Sequence, residues 1–103
     1  MPERRGTDPA RGVYGISVAA DLVGLAPQSL RLYEDRGLLE PERTAGGTRR
    51  YSEEDLARLQ RISQLLGEGL NLAGVAAVLF LEKDNARLRD ENRRFREQRR
   101  KDT

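Results

Sequence analysis

The chain has 103 residues, of which 37% are hydrophobic and 35% charged, with a formal net charge of +2. That length supports one small domain with a modest core, and five aromatic residues with no Trp leave little material for a deep, closed small-molecule pocket. The absence of Cys and His excludes disulfides, thiolate or imidazole metal sites and Cys/His nucleophiles, and no Gly-rich phosphate loop followed by Lys is present, so neither an enzyme nor a bound cofactor is expected. Net charge alone does not point to nucleic acid, but its make-up is informative: 17 of the 19 basic residues are Arg, the planar fork suited to phosphates and guanine edges. The longest apolar run, Val75 to Leu81, is too short to span a bilayer, and no signal-peptide pattern opens the chain; a cytoplasmic, nucleoid-associated protein without membrane contact is expected.

Residues 1–12 hold two Pro, two Gly and mixed charge without periodicity, and read as a disordered tail. Order is expected from Val13. Ser17 is a candidate N-cap for a first helix through Val23, which Gly24 stops; Pro27 suits the first turn of a second helix to about Arg36, and Gly37 is a natural residue just beyond its end. Ala20 and Gly24 supply the small residue and tight turn of a helix-turn-helix, locked by Ala19, Val23, Leu25, Leu30 and Tyr33. With Leu30 and Tyr33 inward, the 100° step turns Gln28, Arg31, Leu32 and Asp35 outward, with Ser29 at the flank. Such a face can enter the major groove, where Gln28 pairs with adenine and Arg31 reaches guanine or a phosphate. Leu32 reads either as a contact to a thymine methyl or, with slight preference, as packing under the element that follows.

Two extended arms, 38–44 and 48–51, flank Ala45-Gly46-Gly47, a hairpin signal. Arg43, Arg49 and Arg50 cluster around that tip. Because Arg49 and Arg50 point to opposite faces, one can meet DNA while the other braces the wing. Ser52 caps a third helix with three acids in its first turn; Leu56, Leu59, Ile62, Leu65 and Leu66 form its apolar stripe, and Gly67 and Gly69 end it. Asn71 can cap a fourth helix containing Leu72, Val75, Val78 and Leu79, after which a highly charged, helix-forming stretch runs to about Arg100.

The stretch 16–39, with Leu30-Arg31-Leu32-Tyr33-Glu34-Asp35-Arg36-Gly37-Leu38-Leu39, followed by Arg43 and Gly47-Thr48-Arg49-Arg50-Tyr51, resembles the N-terminal domain of MerR-type regulators over residues 13 to about 80. Ile16 to Ala20, Thr44 to Tyr51 and Gly69 to Val75 resemble the HspR-type heat-shock repressors. The resemblance implies a mainly α fold: a winged helix-turn-helix at 13–80, then a short coiled-coil dimerisation helix at 81–100 and a tail at 101–103. It also implies operator binding at inverted repeats, control of chaperone genes and, in true members of the subgroup, the chaperone DnaK as co-repressor. The DNA-binding candidates are Ser17, Gln28, Ser29, Arg31, Tyr33, Arg43, Thr48, Arg49, Arg50 and Tyr51.

MerR-type proteins dimerise through a helix after this domain. Here Leu81, Leu88 and Phe95 occupy one heptad position and Val78, Asn85 and Asn92 the other; with Val75 from the fourth helix these are the dimerisation candidates. Seam Asn residues set register and weaken the coil. The expected function is a dimeric repressor of double-stranded DNA operators without its own effector domain, answering to a protein co-regulator (a chaperone or RNA polymerase), to temperature or to its own concentration. A MerR-like activator that distorts promoter DNA uses the same domain, and a helical protein-interaction adaptor is the alternative from another class.

Overall fold

The structure, a computed structural model, describes residues 8–102. It contains helices α1 (Ile16–Val23) and α2 (Pro27–Asp35), strands β1 (Glu42–Arg43) and β2 (Arg49–Arg50), and helices α3 (Glu53–Gly67) and α4 (Leu72–Asp102). These fall into two compact units, one ending at Gly69 and one beginning at Leu70.

In the first unit, glycine ends two helices in the same way. Gly24, at φ 71°, takes the left-handed conformation that lets the Leu25 N–H reach back to the Ala20 carbonyl at 2.9 Å. Gly37, at φ 76°, does this for α2, where Leu38 N–H reaches the Tyr33 carbonyl at 2.9 Å. The start of α1 differs from expectation. Its N-cap is Gly15, without a side-chain cap, and Ser17 lies exposed inside the first turn, so its hydroxyl cannot cap the helix it already belongs to. Pro27 opens α2 as expected. Helix α3 begins with a full capping box: Ser52 Oγ accepts the Asp55 N–H at 3.0 Å and Asp55 Oδ2 accepts the Ser52 N–H at 2.9 Å.

Ala19 and Ala20 are fully buried where α1 packs on α2 and α3. Around them lie Leu30, Tyr33, Leu38, Leu39, Tyr51, Leu59, Ile62 and Leu65. Arg58 Nε donates to the Leu38 carbonyl, tying α3 to the chain leaving α2.

The hairpin pairs Glu42 with Arg50 and Arg43 with Arg49, antiparallel. Its strands are shorter than the arms expected from sequence, with two residues each. At the tip, Thr44 N–H and Thr48 O meet at 2.8 Å, Thr44 Oγ1 accepts the Thr48 N–H at 3.1 Å, and Gly47 sits at φ 88°.

Residues 8–12, expected in a disordered tail, are built into this unit. Asp8 organises a turn through Ala10 and Arg11, the Pro9 carbonyl accepts the Glu54 N–H at 3.0 Å, and Gly12 N–H donates to Glu42 Oε1 at 2.9 Å. Val13 and Tyr14 then pair with Tyr51 beside the hairpin. Backbone hydrogen bonding, which needs no apolar pattern, holds the segment. Residues 1–7 of the expected tail lie outside the described residues.

The second unit is dominated by α4, 31 residues long and unbroken across the 80/81 boundary expected between domain and coiled coil. Asn71 Oδ1 accepts the Gly74 N–H at 2.8 Å, the expected cap. Val75 and Leu79 are buried, whereas Phe80, Leu81, Leu88 and Phe95 are exposed. Val75 is therefore corrected from a dimerisation residue to a core residue: with no surface left, it has nothing to offer a second copy. Beyond Leu81 the helix is laced by pairs of Arg87 with Asp84 and Glu91, and of Asp90 with Arg93 and Arg94. Lys101 and Asp102, expected in a tail, are helical, and Arg99, Arg100 and Lys101 complement the negative end of the helix dipole. Thr103 lies outside the described residues. No helix among the described residues is long and apolar enough to cross a membrane.

Candidate nucleic-acid interface

Helix α2 divides as its periodicity predicts. Leu30 and Tyr33 are buried, while Gln28, Arg31, Leu32 and Asp35 face outward and Ser29 is half-buried. Arg31 Nη1 donates to Gln28 Oε1 at 3.3 Å, so the two candidate base-reading side chains form one polar unit a helical turn apart. Leu32 is 39% exposed, more open than a residue packed fully under the wing would be.

The wing stands against this helix through Glu34. Its Oε2 accepts from Arg43 Nη2 at 2.7 Å and its Oε1 from Arg49 Nε at 2.5 Å, so one carboxylate holds one arginine from each strand. Arg43 also donates from Nη1 to the Gly47 carbonyl at 3.0 Å, closing the tip. Burial pushes the Glu34 carboxyl up, but hydrogen bonds from Arg49 and Arg43 outweigh it and hold the group below its ordinary value. Glu34 was not singled out from sequence. The available signal was charge imbalance: Arg43 to Arg50 carries three arginines and no acid, so a partner had to come from another element.

Of the expected division of labour between Arg49 and Arg50, the bracing half is clear for both. Arg49 binds Glu34, and Arg50 is half-buried with Nη1 on the Arg49 carbonyl at 3.3 Å. Thr48 and Arg43 remain exposed on the wing, and Ser17 is exposed on α1. Tyr51 is corrected from a DNA contact to a core residue, since none of its surface is exposed, while Tyr33 is mostly buried and keeps 6% of its surface exposed. Burial raises the Tyr51 phenol above its ordinary value, and its hydroxyl finds no partner among the described residues. The exposed cationic and amide groups thus lie on α2 and the wing, with the tyrosines beneath them as support.

The family model described as the MerR HTH family regulatory protein matches residues 14–80, from the Tyr14 bridge through the wing and into α4. The chain belongs to the MerR HTH regulatory family. Among its MerR relatives, the heat shock protein HspR of Streptomyces coelicolor is 52% identical over 77 residues, covering 74% of this chain and 51% of that protein. The transcriptional regulator GlnR of Bacillus cereus is 36% identical over 84 residues, covering 82% and 63%. The chain thus spans about half to two thirds of the length of these MerR relatives. Two solved structures share its fold. The N-terminal part of MtaN, the Bacillus subtilis multidrug transporter activator, is 27% identical with a TM-score of 0.62, covering 82% of this chain and 90% of that one. HiNmlR, a MerR family regulator lacking the sensor domain and crystallised on promoter DNA, is 25% identical with a TM-score of 0.60, covering 78% and 67%.

Proposed function

We propose that the chain is a sequence-specific regulator of transcription that binds double-stranded DNA as a dimeric repressor at inverted repeats. The observation that carries this reading is the joined surface of α2 and the wing, with Gln28 and Arg31 outward on one and Arg43 and Thr48 on the other, locked together by Glu34. In it α2 enters the major groove, Gln28 and Arg31 read base edges, Ser29 and Ser17 approach the backbone, and the wing arginines, Arg50 included, meet phosphate. The DNA complex of HiNmlR, which shares the fold, supports the assignment.

The second copy joins through α4, where Leu81, Leu88 and Phe95 recur every seven residues on an exposed line beside Val78, Asn85 and Asn92. The domain assignment is DNA binding over 13–80 and dimerisation over 81–100, in a cytoplasmic, nucleoid-associated protein. The likeness to HspR favours a repressor with a chaperone co-regulator; RNA polymerase is the partner for the activator alternative.

Selection of bound duplexes followed by footprinting tests the reading. Two protected half-sites in inverted orientation are expected, and Arg31→Ala should weaken binding by about 1–3 kcal/mol and relax the preference at one position in each half-site. Binding of a single asymmetric site by a monomer at full affinity would sink the repressor model, and unchanged function in Arg31→Ala would favour the adaptor. Transcription in vitro with the operator between promoter elements separates repression from activation.

A further inference from the structure

Arg43 and Arg49 are directly opposite each other in the register of the hairpin, so their side chains leave the same face of a two-stranded ribbon. Two like charges in that position repel and leave a doubly cationic spot that attracts any anion. In a protein that meets DNA, the nearest abundant anion is backbone phosphate, which carries no sequence information. Glu34 already occupies the spot: both its oxygens are used, one for each arginine, and its side chain is only 18% exposed.

We infer that Glu34 is a specificity-determining residue, a resident anion that keeps Arg43 and Arg49 from binding phosphate on arbitrary DNA. The inference rests on the DNA-binding reading above and deepens it. Glu34 belongs to α2, three residues after Arg31, so the wing cations are fixed to the helix that carries the candidate base-reading groups. Arg43 keeps 45% of its side chain exposed and Arg49 retains both terminal nitrogens, so the clamp orders the pair without removing them from a phosphate held nearby by a seated α2. Their rotamers are fixed before DNA arrives, which lowers the ordering cost in the specific complex. In a non-specific encounter α2 makes no such seat, and the carboxylate competes with phosphate for both cations.

The test compares the full chain with Glu34→Gln on the duplex selected by the wild type and on a scrambled duplex of the same composition, over a series of salt concentrations. Glu34→Gln should bind the scrambled duplex about ten-fold tighter at low salt. The slope of log affinity against log salt should steepen by roughly one to two, about 0.9 for each phosphate newly engaged. The ratio of selected to scrambled affinity should fall about ten-fold. Glu34→Asp, which keeps the charge, should restore most of that ratio, and Glu34→Gln combined with Arg43→Gln and Arg49→Gln should abolish the gain on scrambled DNA. Equal losses on both duplexes with an unchanged salt slope would overturn the inference and leave Glu34 as a brace. Should Glu34→Gln not fold, an Asp variant with wild-type ratio and slope supports the inference, and one that loses affinity equally on both duplexes overturns it. A wild-type chain without sequence preference would overturn the DNA-binding reading, and the inference with it.

Discussion

Glu34 also sets how the wing responds to acid. In the unfolded chain its carboxyl titrates near the ordinary 4.5, and in the folded chain below it, because Arg49 and Arg43 donate to it. Protons therefore bind the unfolded state more readily, and the contribution of the clamp is full at neutral pH. It fades as pH falls through 4.5 toward the lower folded value and is gone beneath that. Thermal melts of wild type and Glu34→Gln should differ by about 1–2 kcal/mol at pH 7, discounted for the exposure of Arg43, and draw together as pH falls below 4.5 and through the lower folded value. A difference that stays constant as pH falls below 4.5 would show that the stabilisation does not come from the charge. At this scale the sequence was half legible. The 3.6-residue period separates Gln28 and Arg31 from Leu30 and Tyr33, whereas membership of a motif does not say which face a tyrosine takes. Tyr51, in the same family pattern, is fully buried. The partner of Arg49 lies fifteen residues away on another element, a distance no local pattern spans.

At the scale of elements, helices were the legible part because their ends are written in side chains and glycines: Gly24, Gly37, the box of Ser52 with Asp55, and Asn71. The segment 8–12 was not, because backbone groups hold it. Gly12 shows how closely it is fitted. A Cβ there would stand 2.4 Å from the Arg50 carbonyl oxygen, a backbone atom that cannot swing aside, so the wing base must shift to accept any side chain. Gly12→Ala should cost about 1–3 kcal/mol, in the range of overpacking a closed contact. Gly46→Ala, whose nearest neighbour is Thr44 Oγ1 at 3.9 Å, should cost far less. Urea unfolding of the two variants side by side gives the comparison, and equal midpoints would mean that the 8–12 segment detaches freely.

At the scale of the molecule, α4 carries apolar groups where a solitary surface helix would carry polar ones. Phe80, Leu81, Leu88 and Phe95 are all exposed, Phe95 by 72%. The heptad spacing of three of them was readable from sequence; Phe80 was not, because it precedes the seam by one residue. Intrahelical pairs such as Arg87 with Glu91 contribute only a few tenths of a kcal/mol each, so they do not account for the apolar line. Leu88→Glu should convert a dimer to a monomer in sedimentation equilibrium and weaken operator binding by at least ten-fold, while leaving the fold of residues 8–69 unchanged by circular dichroism. A dimer that persists in Leu88→Glu would place the subunit contact elsewhere.

Leu32 has a consequence for inheritance as well as recognition. It stands exposed about one helical turn beyond Gln28, and an apolar side chain on a face that enters the major groove can meet a methyl group, whichever base bears it. In the major groove thymine displays such a methyl at C5, and 5-methylcytosine displays the same group at the same ring position. An operator read through Leu32 would thus be open to chemical marking: methylating one cytosine should alter occupancy without changing the base sequence, and Leu32→Ala should erase the difference between marked and unmarked duplexes. Equal responses of wild type and Leu32→Ala to methylated DNA would assign the side chain another duty.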